Sequence, residues 1–407
     1  MLSSSFCRHD HTASLLKTAL TDFHIANGGE MVDYAGYAMP VKFEGLVPEH
    51  LACRKECTLY DTGHMGQYLI TGPDKKAFIE RVMPVSLPEK PDNLAHLSVI
   101  TNEKGGIIDD CMVASREDDV LYLVVNAGCR PKDDKHLRQQ LDIFKSEGGK
   151  ADLTWLEGRS LLALQGPKAI NVMNDVISKY SQTMKTFSLS KLPFMTTTNF
   201  EVDGISIWAS RSGYTGEDGF EIGIDKPEDA VKIADLLARY KEVHLGGLGS
   251  RDSLRLESGL CLYGHEMNEE TTPVEASLGW LVDKKRMDGS FVGGNKIVSE
   301  LKDRKLAKKH RRVGLKMMGK APPPRSECKV FDKEGKNEIG HITSGSHSPL
   351  LNIGIAMAYV PSSYASVKKH KQVKIQIRNR MYPATVCKLP FVPTHFYRGE
   401  KSNKFEK

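Results

Sequence analysis

Apolar and polar residues alternate on both sides of a glycine-rich segment in the middle of the chain. The apolar residues of this pattern are Ile205, Ile207, Phe220, Ile222 and Ile224. A period of two predicts a pair of half-buried strands, and the glycines of R-S-G-Y-T-G-E-D-G (211–219) allow the backbone to turn between them. Glu221 lies between two apolar positions, so its carboxylate is predicted to face away from the apolar side, toward solvent or a cleft.

The same order of elements occurs twice in the first two thirds of the chain. In each copy a strand is followed by Gly-Pro and an amphipathic helix, then by two strands, a second helix and a last strand. The first copy has strands near 67–70, 107–114, 120–125 and 151–155 and its second helix near 131–146. The second copy, offset by about 95 residues, has strands near 161–164, 200–209, 219–224 and 243–248 and its second helix near 227–240. The repeat predicts an α+β fold of two related layers, with cores at about 60–155 and 156–250, packed face to face.

The regions around the repeat have different patterns. Residues 48–60 and 250–262 are predicted to be helical, the latter capped by Ser250. The basic segment K-D-R-K-L-A-K-K-H-R-R (302–312) is either a solvated boundary or a docking site for an acidic partner. From residue 313 onward, short alternating strands separated by Gly, Pro, Ser and Asn predict a small all-β barrel or sandwich.

Composition narrows the class of protein. The 407 residues suffice for two or three domains, and a net charge of +6 is too weak to indicate nucleic-acid binding. No apolar run approaches the ~18 residues that cross a bilayer. The eight cysteines include one close pair, Cys53 and Cys57, which favours a reducing compartment over disulfides or a zinc site. Residues 1–18 are rich in Ser and carry Arg8 and Lys17, which is typical of a mitochondrial transit segment; an aspartate among them argues for the alternative of a ragged terminus.

Two adjacent carboxylates are candidates for proton transfer. Asp109 and Asp110 lie on the strand predicted near 107–114, so their side chains point to opposite faces. The aspartate on the better-packed side would be desolvated, which raises its pKa and suits it to proton handling. Strand alternation does not decide which aspartate this is, and two polar residues at the entry to a turn are the alternative interpretation.

Arg251 and two aromatic residues are candidates for ligand binding. Arg251 follows a glycine-rich approach, where a guanidinium can bind a carboxylate or a flat heterocycle through two hydrogen bonds. The alternative for Arg251 is an internal ion pair with Asp252 or Glu257. Tyr214 and Trp280 either offer flat faces to an aromatic ligand or belong to the core. The sequence contains no G-x-G-x-x-G after a strand, P-loop, H-E-x-x-H or G-x-S-x-G, so nucleotide, zinc and acyl-serine chemistry are not predicted, nor is a metal site.

Motifs spread over residues 20–397 resemble those of one family. They are D-T-G-H-M-G-Q (61–67), N-E-K-G-G-I-I-D-D (102–110), V-N-A-G-C (125–129), L-Q-G-P (164–167), L-P-F-M (192–195), G-Y-T-G-E-D-G-F-E-I (213–222), R-D-S-L-R-L-E-S-G-L-C-L-Y-G (251–264), T-T-P-V-E-A-S-L-G-W (271–280), T-S-G-S-H-S-P (343–349) and K-L-P-F-V-P-T (388–394). Together they closely resemble the aminomethyltransferase, or T-protein, family of the glycine cleavage system.

The resemblance implies a fold and a reaction. The fold is two related α+β domains around a central folate cavity, with the folate-binding region at 19–300 and a C-terminal β-barrel at 312–397. In the implied reaction an aminomethyl group arrives on the dihydrolipoyl arm of a carrier, the H-protein. Ammonia leaves, and the carbon passes to the co-substrate tetrahydrofolate as 5,10-methylene-tetrahydrofolate. The implied location is the mitochondrial matrix, with neither nucleic acid nor membrane as a partner.

The resemblance also implies roles for individual residues. The second aspartate of I-I-D-D, Asp110, matches the catalytic residue, and Glu221 and Arg251 match the glutamate and arginine of the folate site. Further residues in motifs that line the same cavity are Met65, Tyr214 and Trp280. The family tail P-T-x-Y-Y reads P-T-H-F-Y here, so Phe396 stands where a tyrosine is usual and Tyr397 is the remaining candidate for a folate contact.

Three other functions would require different sequence features. A flavin-linked demethylase of dimethylglycine or sarcosine needs a flavin domain and a dinucleotide fingerprint, which the sequence lacks. Folate-binding paralogues that act in iron–sulfur protein maintenance carry K-G-C-Y-x-G-Q-E, whereas this chain has G-Y-T-G-E-D-G at its central turn. A non-catalytic carrier-binding protein would not need Asp110, Glu221 and Arg251 together.

Overall fold

The structure is a computed structural model that describes residues 15–90, 92–116, 118–182, 188–303, 306, 310–366 and 371–399. Of the predicted transit segment, residues 1–14 lie outside the described residues, whereas 15–18 contact the folded domain. The amide of Leu16 donates to the carbonyl of Gly36 (2.9 Å), and Thr18 Oγ1 donates to the buried carboxylate of Asp61 (2.6 Å). Within the described ranges, no helix combines the length and the apolar character that a membrane span requires.

The first elements form a small hairpin and a helix–strand pair. They are α1 (Thr21–Ala26), β1 (Glu30–Tyr34), β2 (Tyr37–Lys42), α2 (Leu46–Lys55) and β3 (Cys57–Asp61), with β1 antiparallel to β2. The helix predicted over 48–60 is therefore too long. Residues 57–61 are all buried and pair with strands far along the chain, and this tertiary pairing ends the helix at Lys55.

The first large sheet has five strands in the order β5-β6-β7-β4-β8. Its elements are β4 (Gly66–Thr71), α3 (Lys75–Val82), β5 (Ala95–Thr101), β6 (Ile107–Ser115), β7 (Leu121–Val125), α4 (Arg130–Ser146) and β8 (Asp152–Trp155). Helices α3 and α4 bury Phe78, Val82 and Leu137 in a core that they share with the strands, in agreement with the apolar faces of the two helices.

The second large sheet has six strands in the order β10-β11-β12-β9-β3-β13. Its further elements are β9 (Ser160–Gln165), α5 (Ala169–Tyr180), β10 (Thr197–Val202), β11 (Ile205–Ser210), β12 (Gly219–Ile224), α6 (Pro227–Ala238) and β13 (Val243–Leu245). The single strand predicted over 200–209 is two strands, because Asp203 (φ 50°) and Gly204 (φ 74°) form a tight turn in its middle.

A closed barrel of six strands follows, in the order β14-β17-β16-β15-β18-β19. Its strands are β14 (His310–Met317), β15 (Lys329–Phe331), β16 (Glu338–Ser348), β17 (Ile353–Pro361), β18 (Gln372–Ile377) and β19 (Arg380–Cys387), and before them come α7 (Leu248–Glu257) and α8 (Gly294–Lys302). Ser250 is not the cap of α7 as predicted. It lies inside the helix, and its hydroxyl donates to Glu49 (3.0 Å).

The strand orders of the two large sheets correspond. The order β10-β11-β12-β9-β13 repeats β5-β6-β7-β4-β8, with β3 inserted between β9 and β13. The predicted fold class, two related α+β layers followed by a β-barrel, is confirmed. The basic segment 302–312 joins α8 to β14, and residues 304, 305 and 307–309 of it lie outside the described residues.

A buried ion network ties α2 and α7 to the barrel. The carboxylate of Glu257 has no exposed surface and accepts hydrogen bonds from His50 (2.9 Å), Arg54 (2.8 Å) and the hydroxyl of Ser348. Arg54 also binds Glu217 (2.8 Å). Burial alone would raise the pKa of Glu257, but the hydrogen bond and charge of His50, with Ser348 and Arg54, lower it to about 2.

The low pKa of Glu257 makes part of the folding stability dependent on pH. An unfolded glutamate titrates near ~4.3, so the stabilisation is fully present above that pH and is lost as the pH falls toward about 2. We expect the stability gap between wild type and Glu257→Gln to narrow when urea unfolding is measured at about pH 3 rather than about pH 7. A gap that stays constant over this range would contradict the assignment.

Candidate functional site

One large cavity, with a volume of about 1400 Å³, lies where both large sheets, α7 and the barrel meet. The six sequence candidates that line it are Met65, Asp110, Tyr214, Glu221, Arg251 and Trp280. Asp110 comes from β6 of the first sheet and Glu221 from β12 of the second, so carboxylates from the two halves of the repeat border the same space.

The Asp-Asp pair on β6 is divided between the core and the cavity. Asp109 is completely buried, whereas Asp110 is partly exposed and lines the cavity. Asn126, just after β7, bridges the pair. Its Nδ2 donates to Asp109 Oδ1 and Asp110 Oδ1 (2.9 Å each), and its backbone amide donates to Asp109 Oδ2 (2.9 Å). Asp109 is therefore the aspartate on the better-packed side, and Asp110 is the one that can reach a ligand in the cavity.

The surroundings of Asp110 favour its protonated form. Burial, and next the neighbouring charge of Asp109, raise the pKa of Asp110 to about 8, against the hydrogen bond from Asn126. A carboxyl group with such a pKa can hold a proton at neutral pH and release it during a reaction. Asp110 therefore has the properties of an acid–base group.

Glu221 is held in place by a neighbouring hydroxyl. It is paired with Ser210 on β11 and Ala163 on β9, in the middle of the second sheet. Ser212 Oγ donates to Glu221 Oε2 (2.5 Å), and among the described residues no hydrogen bond reaches Oε1. A carboxylate fixed through one oxygen can accept N–H groups of a ligand at its remaining positions.

Arg251 lacks an internal partner. Its guanidinium lies 5.2 Å from the ring centre of Tyr214, and its buried Nη1 has no hydrogen-bond partner in the described part of the chain. The ion pairs considered from sequence are not formed, because Asp252 pairs with Arg255 and Glu257 with His50 and Arg54. A buried N–H group without an acceptor is costly in free energy, so the Nη1 atom of Arg251 is suited to a polar ligand in the cavity.

The remaining candidates differ in how they meet the cavity. Trp280 is 69% exposed at its border, and the hydroxyl of Tyr214 donates to the carbonyl of Cys261. Tyr397 is not among the lining residues. Its ring lies against the guanidinium of Arg211 (4.5 Å), whereas Phe396 lines the cavity and stacks on Phe194 with ring centres 4.0 Å apart.

Three further residues belong to the site and were not singled out from the sequence: Asn126, Ser212 and His64. His64 is buried and lines the cavity, and burial lowers its pKa to about 4, which keeps it neutral. His64 and Asn126 both lie inside motifs that carry the family resemblance, and their place in these motifs is the feature of the sequence that could have identified them. Among the described residues, no group of three or more His, Cys, Asp and Glu side chains could hold a metal ion.

Comparisons with known proteins agree with this architecture. Residues 20–286 match the GCVT N-terminal domain and 310–393 the glycine cleavage T-protein C-terminal barrel domain. The mitochondrial aminomethyltransferase of Solanum tuberosum is 43% identical over 95% of this chain and 92% of its own length, and that of Saccharomyces cerevisiae is 42% identical over 95% and 96%. The crystal structure of the glycine cleavage system aminomethyltransferase T from Bartonella henselae superposes with a TM-score of 0.84 at 33% identity, covering 94% of this chain and all of that one.

The chain therefore belongs to the glycine cleavage T-protein family. It is an aminomethyltransferase of the glycine cleavage system, which confirms the assignment made from the motifs. The naming of its relatives as mitochondrial proteins supports a mitochondrial location.

Proposed function

We propose that this enzyme transfers the methylene carbon of an aminomethyl group, carried on the dihydrolipoyl arm of the H-protein in the mitochondrial matrix, to tetrahydrofolate. The observation that carries the proposal is the meeting of Asp110, Glu221 and Arg251 around one cavity. A volume of about 1400 Å³ exceeds the 300–1,000 Å³ typical of small-ligand sites. There is thus room for a folate and for the end of a carrier arm at the same time.

The polar groups of the cavity fit a reduced pterin. The aminopyrimidinone edge of the pterin presents neighbouring N–H groups, which a carboxylate can accept, and Glu221 is the carboxylate fixed in the wall. Arg251 supplies an unpaired donor for a carbonyl or carboxylate of the same ligand. Met65 and Tyr214 add apolar and aromatic surface, and we assign Trp280, at the exposed border, to the outer part of the folate. The ring of Tyr397, packed on Arg211, is assigned an indirect role in supporting the wall beside Phe396.

The reaction needs a group that moves protons near the transferred carbon. The bonds of this carbon to the amine nitrogen and to the lipoyl sulfur are replaced by bonds to two folate nitrogens. Folate loses two N–H protons, and one proton ends on ammonia and one on the lipoyl thiol, so no oxidant or reductant is required. Asp110, protonated at the start, can give its proton to the leaving amine and then take one from a folate nitrogen. As a carboxylate it also stabilises positive charge at the carbon in between.

Glu221→Gln is expected to weaken tetrahydrofolate binding by about 10- to 100-fold, because an amide replaces a charged acceptor and hydrogen bonds to charged groups contribute ~1.5–3 kcal/mol. Isothermal titration of the purified enzyme with tetrahydrofolate measures this change. Glu201→Gln is the matched control, since Glu201 lies on β10 of the same sheet and does not line the cavity. Wild-type affinity in Glu221→Gln would contradict the folate site.

A reconstituted assay tests the whole function. Aminomethylated H-protein is incubated with the enzyme, and ammonia and methylene-tetrahydrofolate are followed with and without tetrahydrofolate. We expect rapid ammonia release that depends on tetrahydrofolate and equals the methylene-tetrahydrofolate formed. A non-catalytic folate-binding paralogue would bind tetrahydrofolate but release no ammonia above the rate without enzyme.

A further inference from the structure

Two buried carboxyl groups lie behind the cavity, next to the partly exposed carboxyl group of Asp110, which lines it. Asp109 and Asp110 are neighbours on β6, and Asp133 lies in the first turn of α4, which packs against β6. Asp109 and Asp133 have no exposed surface, and each is an electrostatic neighbour of the other. Three ionised carboxylates in such a place would repel one another and lose their hydration, so at least one of them must keep its proton.

In the described part of the chain, no cation forms an ion pair with a carboxylate of this cluster. The titratable groups that face it from the surrounding elements are Tyr68 from β4, Cys111 from β6, Cys129 and Lys132 at the start of α4, Tyr214 from the turn before β12, and Cys261, Tyr263 and Glu266 from the loop after α7. Lys132 is the positive group among them. Its Nζ donates to the hydroxyl of Tyr263 (2.5 Å) and pairs with Glu269 (3.3 Å), so it is already engaged outside the cluster.

Hydrogen bonds distinguish Asp109 from Asp133. Asp109 accepts two hydrogen bonds from Asn126, one at each oxygen (2.9 Å each), and such bonds favour the charged form of a carboxyl group. Among the described residues, no N–H or hydroxyl group donates to either oxygen of Asp133, whose hydrogen-bond partner is the carboxyl group of Asp109. The charge of the cluster is therefore most stable on Asp109 and least stable on Asp133.

We propose that Asp109 is the permanent anion of this cluster and that its charge keeps the adjacent Asp110 protonated until the amine leaves, which makes Asp109 a positioning residue for the transfer reaction. Asp133 stays a neutral carboxylic acid throughout. The inference rests on the proposed role of Asp110 as the acid–base group. It adds that the proton of Asp110 is held there by a residue that never touches the substrate.

The electrostatics of the three groups support this division. Burial, and next the charge of Asp109, raise the pKa of Asp133, which favours its neutral form. Asp109 is also the first charged neighbour that raises the pKa of Asp110. For Asp109 itself, burial raises the pKa, and the hydrogen bonds from Asn126, Cys129 and Asp133 oppose the rise.

The test measures how the rate of single-turnover transfer from aminomethylated H-protein to tetrahydrofolate depends on pH. The full-length enzyme is compared with the variants Asp109→Asn, Asp133→Asn and Asp110→Asn. The midpoint of the pH–rate profile that is lost in Asp110→Asn is the one that reports the titration of Asp110. In Asp109→Asn we expect this midpoint to fall by about one pH unit or more, that is, about a tenfold loss of proton affinity. Asp133→Asn makes the same carboxyl-to-amide change in the same cluster and should leave the midpoint in place, because a neutral group replaces a neutral group. An unmoved midpoint in Asp109→Asn, or an equal shift in Asp133→Asn, would overturn the proposal.

Infrared spectroscopy tests the same assignment without activity and without the Asp109 variant. At neutral pH the wild-type spectrum should contain carbonyl bands of protonated carboxyl groups, one of which disappears in Asp133→Asn and another in Asp110→Asn. If Asp133→Asn removes only ionised-carboxylate intensity, Asp133 carries charge and the proposal is wrong. If the bands behave as expected but Asp110→Asn retains full turnover, the cluster assignment stands and the catalytic role of Asp110 fails, so the two hypotheses are separated.

Discussion

Asp110→Asn is expected to lower the rate of methylene-tetrahydrofolate formation by about 10²- to 10⁴-fold, the contribution typical of a positioned acid–base group. The asparagine keeps the shape of the side chain and can still bind Asn126, but it cannot give a proton to the leaving amine. Folding should not suffer, because the change removes an ionisable group that lies next to the buried carboxyl group of Asp109. Thermal stability equal to or above that of the wild type is therefore expected together with the loss of activity.

The measurement is single-turnover transfer from aminomethylated H-protein, with folate binding followed separately by calorimetry. Asp235→Asn is the matched control, since Asp235 is an exposed aspartate on α6 outside the cavity. Turnover near the wild-type rate in Asp110→Asn would refute the catalytic assignment. Loss of folate affinity with an unchanged rate at saturation would instead make Asp110 a binding residue.

Glu257→Ala should cost about 3–5 kcal/mol of folding stability, the loss expected when one partner of a buried ion pair is removed. The alanine would leave the buried guanidinium of Arg54 with Glu217 as its ionic partner and would remove the carboxylate that binds His50. It would also remove the acceptor of Ser348, which is one of the contacts between α7 and the barrel. The barrel is thus expected to loosen from α7 before the rest unfolds.

Urea unfolding monitored by fluorescence and by limited proteolysis measures this effect. Glu103→Ala is the control, because Glu103 is an exposed glutamate in the turn before β6 and its loss should change the stability by less than about 0.5 kcal/mol. A Glu257→Ala protein as stable as this control would mean that the network contributes little to folding.

The alternation of apolar and polar residues along the strands predicted the orientation of one candidate site residue but not of another pair. It placed Glu221 on the polar face of β12, where the structure has it bordering the cavity. It could not choose between Asp109 and Asp110, because the apolar residues of β6 fall on both of its faces, with Ile107 and Ile108 buried on either side. Periodicity distinguishes the two faces of a strand only when the apolar residues are confined to one of them.

The features missed from sequence depend on partners far along the chain. Asn126 acquires its role because β7 lies beside β6, with Cys111 opposite Val125. Ser250 was predicted to cap α7, but its hydroxyl donates a hydrogen bond to Glu49, a residue 201 positions away. The motif resemblance pointed to residues of which six line one cavity, whereas the hydrogen bonds that set their charge states could be identified only from the structure.

The position of β3 has a consequence for biosynthesis. This strand is made before the whole first sheet, yet it pairs with β9 and β13 of the second, Thr58 lying opposite Gln165 and Cys57 opposite Val243. While the chain emerges N-terminus first, the first sheet can assemble from its own strands, whereas β3, which is completely buried in the folded protein, has no strand to pair with. Until β9 emerges, it is an open edge that other chains can join, and a chaperone that shields it would raise the yield of folded enzyme.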